Sequence, residues 1–472
     1  MNNQMRTERQ ALFARIAGST VAIMGIGKKG LAAAKLASRL GGKPFLSDQA
    51  DKSSLEPFIK EIQQYGWDWE TGGHTARIKQ SDIIVRSSAV SASHPLLQDA
   101  LVPILDELDF ASAFINKPVL AITGTNGKTI TLRAFAQIFS ESGNKLLLAG
   151  GTGKPLSEIA LILMDNSSEY DLVAVEVSAL QLQGHLRYLK PLIGCLTQIA
   201  ADHLDKYRGM DAYMNAKARL FSLQDKSDVI VVDRDCPRCV SLASKLEARK
   251  IWVSGQTKRS NESVWVDKDV IFWGNEDGLD DIISLEHLQI PRHHLKPLLL
   301  ACGIAISMNV PVSAMRSASK NFKGVPHRFE NIGTIHGVKI INDSKATNLI
   351  AGIAAIKEVD CPMIILVGGQ ASSQDMTNIV SAIHSSSVSG VVGYGRGGKE
   401  ILELLKDLPL RAEFCQEFDY AVSRALNMAI NMKTSVLLFS PCCKTESEIF
   451  RTAEDRGDRF KAVIMTLNNN IT

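Results

Sequence analysis

Short apolar runs alternate along this chain with longer stretches whose apolar residues recur at helical spacing. Residues 20–24 (TVAIM) read as a buried strand. The glycine turn GIGKKG follows, and then LAAAKLASRLGG, an Ala/Leu-rich helix that stops at glycines. KPFLSD gives a second strand ending in Asp48, and DIIVRSSAV (82–90) another that runs into small residues. The pattern resumes near Lys117, where PVLAI, DLVAVEV (171–177), GCLTQIA (194–200) and SDVIVVD (227–233) are short apolar strands spaced by helical or loop sequence. KIWVSG and ESVWVDKDVIFWG read as β-rich elaboration, and RHHLKPLLLACGIAISMNV as a closing helix. From His327 onward VKIINDS, PMIILVGG, GVVGYG and SVLLFSP are strands, with helices such as LIAGIAAIKEV between them. Strand–helix alternation of this kind predicts parallel sheets with helices packed on them. The expected fold class is α/β, with three domains in series at 1–115, 116–324 and 325–472.

Composition narrows the function classes. A charge of +3 on 472 residues, with no block of like charge, argues against a dominant nucleic-acid surface. No stretch of about 18 apolar residues suggests a membrane span. The N-terminus MNNQMRTERQALFARIAG lacks the apolar centre of a signal peptide. A cytoplasmic protein, not inserted in a membrane, is expected. Nothing demands an oligomer, so a monomer is expected too. Eight cysteines are too sparse for a disulfide scaffold. Cys236 and Cys239 form a CPRC pair, with no second pair to complete a zinc site, and read as reduced structural thiols.

The candidate chemistry starts at TGTNGKTITL (123–132). It lies between the strand PVLAI and the helical LRAFAQIFSESG, the context in which a glycine loop cradles phosphate. Gly124 and Gly127 let the backbone turn tightly, with Thr125 and Asn126 between them. Lys128 can neutralise β/γ-phosphate charge, and Thr129 can reach Mg²⁺. The usual pattern has a glycine where this chain has Ile122, so the loop is a shorter variant. Upstream, GIGKKG places Gly25, Gly27, Lys28 and Gly30 in a G-x-G-x-x-G arrangement, with Asp48 lying 18 residues after Gly30. By itself that pattern also suits a nicotinamide dinucleotide.

Three further stretches stand out: VEVSALQL with Glu176, DHLDKYRGMDAYMNAKARLF with His203 and Lys217, and PHRFENIG followed by VKIINDSKATN, with Arg328, Asp343, Lys345 and Thr347. Together with TGTNGKT, with NDSKATN and with the late SP-x-C…RGDRF stretch, they make the chain similar to the Mur ligase family over nearly its whole length. The resemblance implies a Rossmann-like N-terminal domain for a UDP-linked precursor, a P-loop NTPase-like central domain for ATP, and a Rossmann-like C-terminal domain for an amino acid. It also implies an ADP-forming ligation in peptidoglycan synthesis. ATP phosphorylates the carboxylate of UDP-N-acetylmuramoyl-L-alanine, and the amine of an amino acid, D-glutamate first among the candidates, attacks the acyl phosphate. By position, residues 124–129, Arg328 and Asp343 would hold ATP. Thr129, Glu176, His203 and a carbamylated Lys217 would approach Mg²⁺. Lys128 and Lys345 would meet the moving phosphate. Gly25, Gly27, Lys28, Gly30, Asp48, Ser87 and Ser88 would meet the UDP precursor, and Thr347, Lys444 and Thr445 the amino acid.

The likeness frays in the amino-acid set. GGQASSQ has Ser372 where the family's GGxxK carries a carboxylate-binding lysine, and Lys444 in SPCCKTESEIF is a candidate replacement. HHLKP places Pro297 where the family's HNxxN carries an asparagine, and AGGTGKP lacks another. A ligase for L-glutamate or another amino acid, a folylpolyglutamate-synthase-like ligase and a silent paralogue stay open on the sequence alone.

Overall fold

The computed structural model describes residues 3–151, 153–202, 207–256, 262–275, 278–288, 290–370, 376–446 and 449–471. The first sheet contains β1 (Thr20–Met24), β2 (Lys43–Ser47), β3 (Asp68–Glu70), β4 (Ile83–Arg86) and β5 (Ile104–Asp106) in the order β3-β2-β1-β4-β5. All four pairings are parallel, and the order reverses direction beside β1, as in a dinucleotide-binding fold. The second sheet contains β6 (Val119–Thr123), β7 (Leu146–Gly150), β8 (Leu172–Glu176), β9 (Ile193–Leu196), β10 (Val229–Asp233), β11 (Arg249–Ser254), β12 (Ser263–Asp267), β13 (Val270–Gly274) and β14 (Leu279–Ser284). Its order is β14-β13-β12-β11-β10-β9-β6-β8-β7, parallel except for the final β12–β13–β14 meander. The third contains β15 (Glu330–Ile335), β16 (Val338–Asn342), β17 (Met363–Gly368), β18 (Val388–Tyr394), β19 (Arg411–Cys415) and β20 (Val436–Cys442) in the order β15-β16-β20-β17-β18-β19. Only β15 is antiparallel there. The architecture is thus α/β with three parallel-rich sheets. Among the described residues no helix is long and apolar enough to cross a membrane.

The central strands follow from composition. Every residue of β6, β8, β10, β17 and β20 is buried, and strands covered on both faces read as unbroken apolar runs. All six strands absent from the sequence reading are sheet edges: β3, β5, β7, β14, β15 and β19. Several are strongly polar, such as DWE in β3 and LDDIIS in β14, because an edge is covered on fewer sides. Two expected strands prove shorter. DIIVRSSAV is strand only over β4, and GCLTQIA belongs to a strand that ends at Leu196. In the first case Arg86 turns inward, and Ser87 and Ser88 enter a turn closed by Val90 N–H donating to the Ser87 carbonyl at 3.0 Å.

The described chain packs into two compact units, residues 1–288 with 296–321, and 289–295 with 322–472. Within the first, the acidic run DELD (106–109) does something its composition does not suggest. Asp106, Glu107 and Asp109 are all buried. Asp106 pairs with the buried Arg86. Glu107 accepts from Ser157 N–H at 2.9 Å and from its hydroxyl at 2.7 Å. Asp109 accepts from the backbone N–H groups of Arg187 at 2.9 Å, Tyr188 at 2.8 Å and Leu189 at 3.4 Å. Glu107 and Asp109 therefore bind the end of the first sheet region to the second sheet's loops and helices. In the second unit, helices cover both faces of the third sheet, with the Phe439 and Phe460 rings stacked 4.6 Å apart on one face.

Burial lifts the Asp109 carboxyl to about 6, against the pull of its three N–H donors. Its folded value lies above the ordinary 3.8, so its ionised form is penalised by folding. The sign is that this group's contribution to stability falls as pH rises from 3.8 to about 6 and stays low above that. Asp109→Asn is expected to flatten that slope in urea titrations across the window. Asp109→Ala, which orphans three buried donors, is expected to cost about 3 kcal/mol or more.

Candidate active site

The phosphate loop leaves β6 and opens the Lys128–Glu141 helix, with Gly127 in the left-handed region (φ +87°) as its N-cap. Gly124 has φ +150°, and a Cβ there would lie 1.8 Å from Thr197 Oγ1. Only glycine fits, because the loop lies directly on the end of β9. Thr197 Oγ–H donates to the Asn126 carbonyl at 2.7 Å, and Thr125 N–H to the Gln198 carbonyl at 2.6 Å. Ala200 N–H returns a bond to Thr125 Oγ1 at 3.0 Å. Residues 197–200 are thus a brace for the loop. Sequence reading missed Thr197, since a threonine after an apolar strand carries no motif of its own. Lys128 curls over the loop, its ammonium donating to the carbonyls of Gly124 and Thr125, both at 2.9 Å. The helix's first-turn N–H groups complete an anion-binding end.

Glu176 ends β8, in register with Ile122 of β6 and Gly150 of β7. Its Oε2 accepts from Thr129 Oγ1 at 2.9 Å. The following glycines are needed for this approach: a Cβ on Gly150 would meet the Glu176 carbonyl at 2.0 Å, and one on Gly151 the carboxylate at 3.0 Å. Two oxygen donors of this kind at a phosphate loop fit Mg²⁺, with phosphate and water oxygens completing its shell. Among the described residues no three His, Cys, Asp or Glu side chains converge as a metal cage, and His203 lies outside them.

Lys217, on the Met210–Ala218 helix, is 1% exposed. Its Nζ donates to the Gly124 carbonyl at 2.7 Å, the acceptor that Lys128 also uses, and lies 4.5 Å from the Tyr213 ring centroid. Burial, then the charge of Lys128, push this amine well below the ordinary lysine value. Tyr213, another residue the sequence reading did not single out, shares a 3.1 Å hydroxyl contact with Thr125, and burial raises its phenol to about 12.

In the first sheet, Asp48 follows β2 and accepts from Ile26 N–H of the glycine turn at 2.5 Å and from Ala50 N–H at 2.8 Å. A Cβ on Gly30 would meet the Gly25 carbonyl at 1.8 Å, so the turn closes on its own helix. Gly25 abuts Ser87, and Lys29 reaches Ser88 Oγ at 3.3 Å. The Lys28–Arg39 helix starts beyond Gly27. The expected precursor residues therefore gather just beyond the ends of the neighbouring strands β1, β2 and β4.

The second unit collects the others. Asp343 follows β16 and is held by Phe329 N–H and the Ser440 hydroxyl, both at 3.0 Å. Burial raises its carboxyl to about 6, with His293, those two donors and Arg328 pulling the other way. Lys345 pairs with Glu454 and donates its N–H to the His327 carbonyl at 3.0 Å. Thr347 follows in the same turn, its N–H on the Lys345 carbonyl at 2.9 Å. Lys444 and Thr445 leave β20, and Gln370 N–H donates to the Lys444 carbonyl at 2.9 Å. That bond sets the Lys444 loop against the glycine turn that ends β17. Ser372 lies outside the described residues. Pro297, in the Leu295–Ser307 helix, would lie 3.6 Å from a Cβ on Gly127, so it packs beside the loop.

A phosphate loop, an adjoining carboxylate and a buried amine on one parallel-rich sheet, in a chain with two further α/β sheets, fit an ATP-dependent ligase that forms amide bonds. Family models agree: residues 122–301 match the Mur ligase middle domain, and residues 327–442 match the glutamate ligase domain of Mur ligases. The chain belongs to the Mur ligase family, the ligases of peptidoglycan precursor synthesis. It is 30% identical over 462 residues to the UDP-N-acetylmuramoylalanine–D-glutamate ligase of Salinibacter ruber, covering 94% of this chain and 97% of that one. It is 29% identical to the enzyme of the same name from Thermoanaerobacter sp. (strain X514), covering 95% and 99%. Among solved structures it resembles UDP-N-acetylmuramate–alanine ligase of Thermotoga maritima (TM-score 0.59, 17% identity, covering 95% and 99%). It likewise resembles MurF of Acinetobacter baumannii (TM-score 0.61, 13% identity, covering 94% and 93%).

Gly124→Ala is expected to drive the loop off Thr197 and weaken MgATP binding roughly tenfold or more, with the circular dichroism spectrum unchanged. Wild-type affinity in that variant would show that the loop does not set the nucleotide site.

Proposed function

We propose that this ligase adds D-glutamate to UDP-N-acetylmuramoyl-L-alanine, with MgATP as the energy source. The observation that carries the reading is the convergence of Lys128, Thr129, Glu176 and Lys217 on one phosphate loop, in a chain whose similarity to D-glutamate ligases spans almost its full length. A carboxylate resists amines because its leaving group would be oxide. Transfer of the γ-phosphoryl group to that carboxylate supplies a good leaving group, and the amino acid's amine then displaces phosphate. The loop N–H groups, Lys128, Arg328 and Lys345 would stabilise the migrating charge. Mg²⁺, held through Thr129, Glu176 and His203, would neutralise phosphate oxygens. Asp343 would hold the nucleotide, and Thr347 and Thr445 the amino acid. Gly25, Gly27, Lys28, Gly30, Asp48, Ser87 and Ser88 would hold the UDP precursor.

The loss of a lysine at Ser372 has a compensating candidate. The bond between Gln370 N–H and the Lys444 carbonyl places Lys444 beside the glycines that end β17, from where its ammonium would serve the glutamate side-chain carboxylate. Lys217, buried and with its amine biased toward the neutral form, would react with CO₂ to give a carbamate, converting a cation beside the loop into an anion.

Phosphate release with UDP-N-acetylmuramoyl-L-alanine, run against D-glutamate, L-glutamate, D-aspartate and L-lysine with product mass as a check, tests the assignment. Turnover with D-glutamate is expected, and selective turnover with another amino acid would overturn it. For Lys217, turnover in CO₂-depleted buffer is expected to fall several-fold and to recover on adding bicarbonate. Indifference to bicarbonate, with no carbamate signal in ¹³C NMR of enzyme supplied with labelled bicarbonate, would remove the carbamate from the reading.

A further inference from the structure

The CPRC pair sits behind the phosphate loop. Cys236 is the N-cap of the Pro237–Ala243 helix, with proline next and Cys239 in the first turn. Residues three apart at a helix start have Cα atoms about 5–6 Å apart, within the range a disulfide spans. The two side chains are in hydrogen-bond reach of each other. Their exposure is unequal, 8% for Cys236 and 0% for Cys239. Both sulfurs face the brace described above. Cys239 S–H donates to the Thr197 carbonyl at 2.7 Å, and Cys236 lies 3.6 Å from the Ile199 carbonyl. Among the described residues no third and fourth ligand joins them in a metal cluster.

We propose that Cys236 and Cys239 form a reversible dithiol–disulfide site coupled to the phosphate loop through Thr197. The oxidant class is a peroxide. The Cys236 thiol gives up its proton and the thiolate attacks the O–O bond, giving a sulfenic acid, while the departing alkoxide or hydroxide takes that proton and leaves as alcohol or water. The Cys239 sulfur then attacks the Cys236 sulfur, its proton leaves with the hydroxyl as water, and the S–S bond forms. Two thiols lose two electrons and two protons, and one peroxide is reduced. A dithiol reductant reverses the change.

The surroundings select Cys236 as the attacking sulfur, while the contact with Cys236 and burial raise the Cys239 thiol, which stays protonated. Cys236 is the N-cap of its helix and the more exposed of the two sulfurs, a position where the helix dipole favours the thiolate. Burial pushes the thiols of Cys195, Cys302, Cys415, Cys442 and Cys443 the other way. The consequence for the loop follows from the proton. In the disulfide, Cys239 has no hydrogen to donate, so the Thr197 carbonyl loses its buried donor. Thr197 is the residue whose hydroxyl holds Asn126 and whose side chain fills the space beside Gly124. Oxidation therefore loosens the brace from behind, without touching a residue that meets ATP.

The test uses the full-length reduced protein, treated with stoichiometric hydrogen peroxide, alkylated and mapped by peptide mass, with MgATP affinity measured in parallel. A Cys236–Cys239 disulfide is expected to form before any other cysteine reacts. MgATP affinity is expected to weaken three- to tenfold, the equivalent of one hydrogen bond, and to return with dithiothreitol. Cys236→Ser is expected to bind MgATP as the wild type does and to ignore peroxide. Alkylation of both thiols while other cysteines oxidise would overturn the site. A disulfide that leaves MgATP affinity unchanged, or a peroxide-sensitive Cys236→Ser variant, would overturn the coupling. Neither readout needs the muramoyl substrate or the amino acid, so failure here is separable from failure of the substrate assignment.

Discussion

Thr197 occupies the space where a side chain at residue 124 would be, and the phosphate loop depends on that contact. The loop lies on the end of β9 with no atom to spare, and three hydrogen bonds through Thr125, Asn126 and residues 197–200 fix it there. A loop so braced keeps its N–H groups aimed before phosphate arrives, which reduces the ordering cost of binding. Lys217 reaches the carbonyl of the same Gly124, and Glu176 meets Thr129 from the neighbouring strand. Strand order makes this possible, because β8 and β9 flank β6 on its two sides.

Charge burial is the second theme of the first unit. Lys217 gives up much of its preference for protonation in return for a place beside the loop. Asp106, Glu107 and Asp109 are taken out of water: Asp106 is ion-paired with Arg86, Glu107 is held by Ser157, and Asp109 by three backbone donors. Such groups are poor sources of net stability, yet they are costly to break, so they fix which elements meet. Glu107 and Asp109 thereby tie the first sheet to the second within one compact unit. In the second unit Asp343 is treated alike: a buried carboxyl pinned by an N–H and a hydroxyl at the end of a strand.

Much of this was legible in the residues. Apolar runs marked the interior strands of all three sheets. Polar edge strands such as β3 and β14 escaped, since a strand covered on fewer sides needs no continuous apolar sequence, and β7 (LLLAG) escaped despite its apolar residues. Glycine spacing marked both anion-binding turns, and the lysine, carboxylate and threonine around the second turn were identifiable by type. Thr197 and Tyr213 were not, because their importance comes from what they touch across 70 to 90 residues of chain. The cysteine pair was visible as a motif and read as inert. Its closeness to the brace is a tertiary fact.

By itself the sequence determined the α/β class, the positions of the phosphate loop and the GIGKKG turn, and the residue types available for phosphoryl transfer. These are local properties: period, glycine placement and the functional group at each position. Only the tertiary structure decided that Lys128 and Lys217 share one carbonyl, that Glu176 meets Thr129, that DELD is interior and that Lys444 stands at the turn preceding Ser372. Each of these depends on strand order and on which surfaces exclude water. A one-dimensional pattern cannot encode them, because contact and desolvation arise only when distant segments pack.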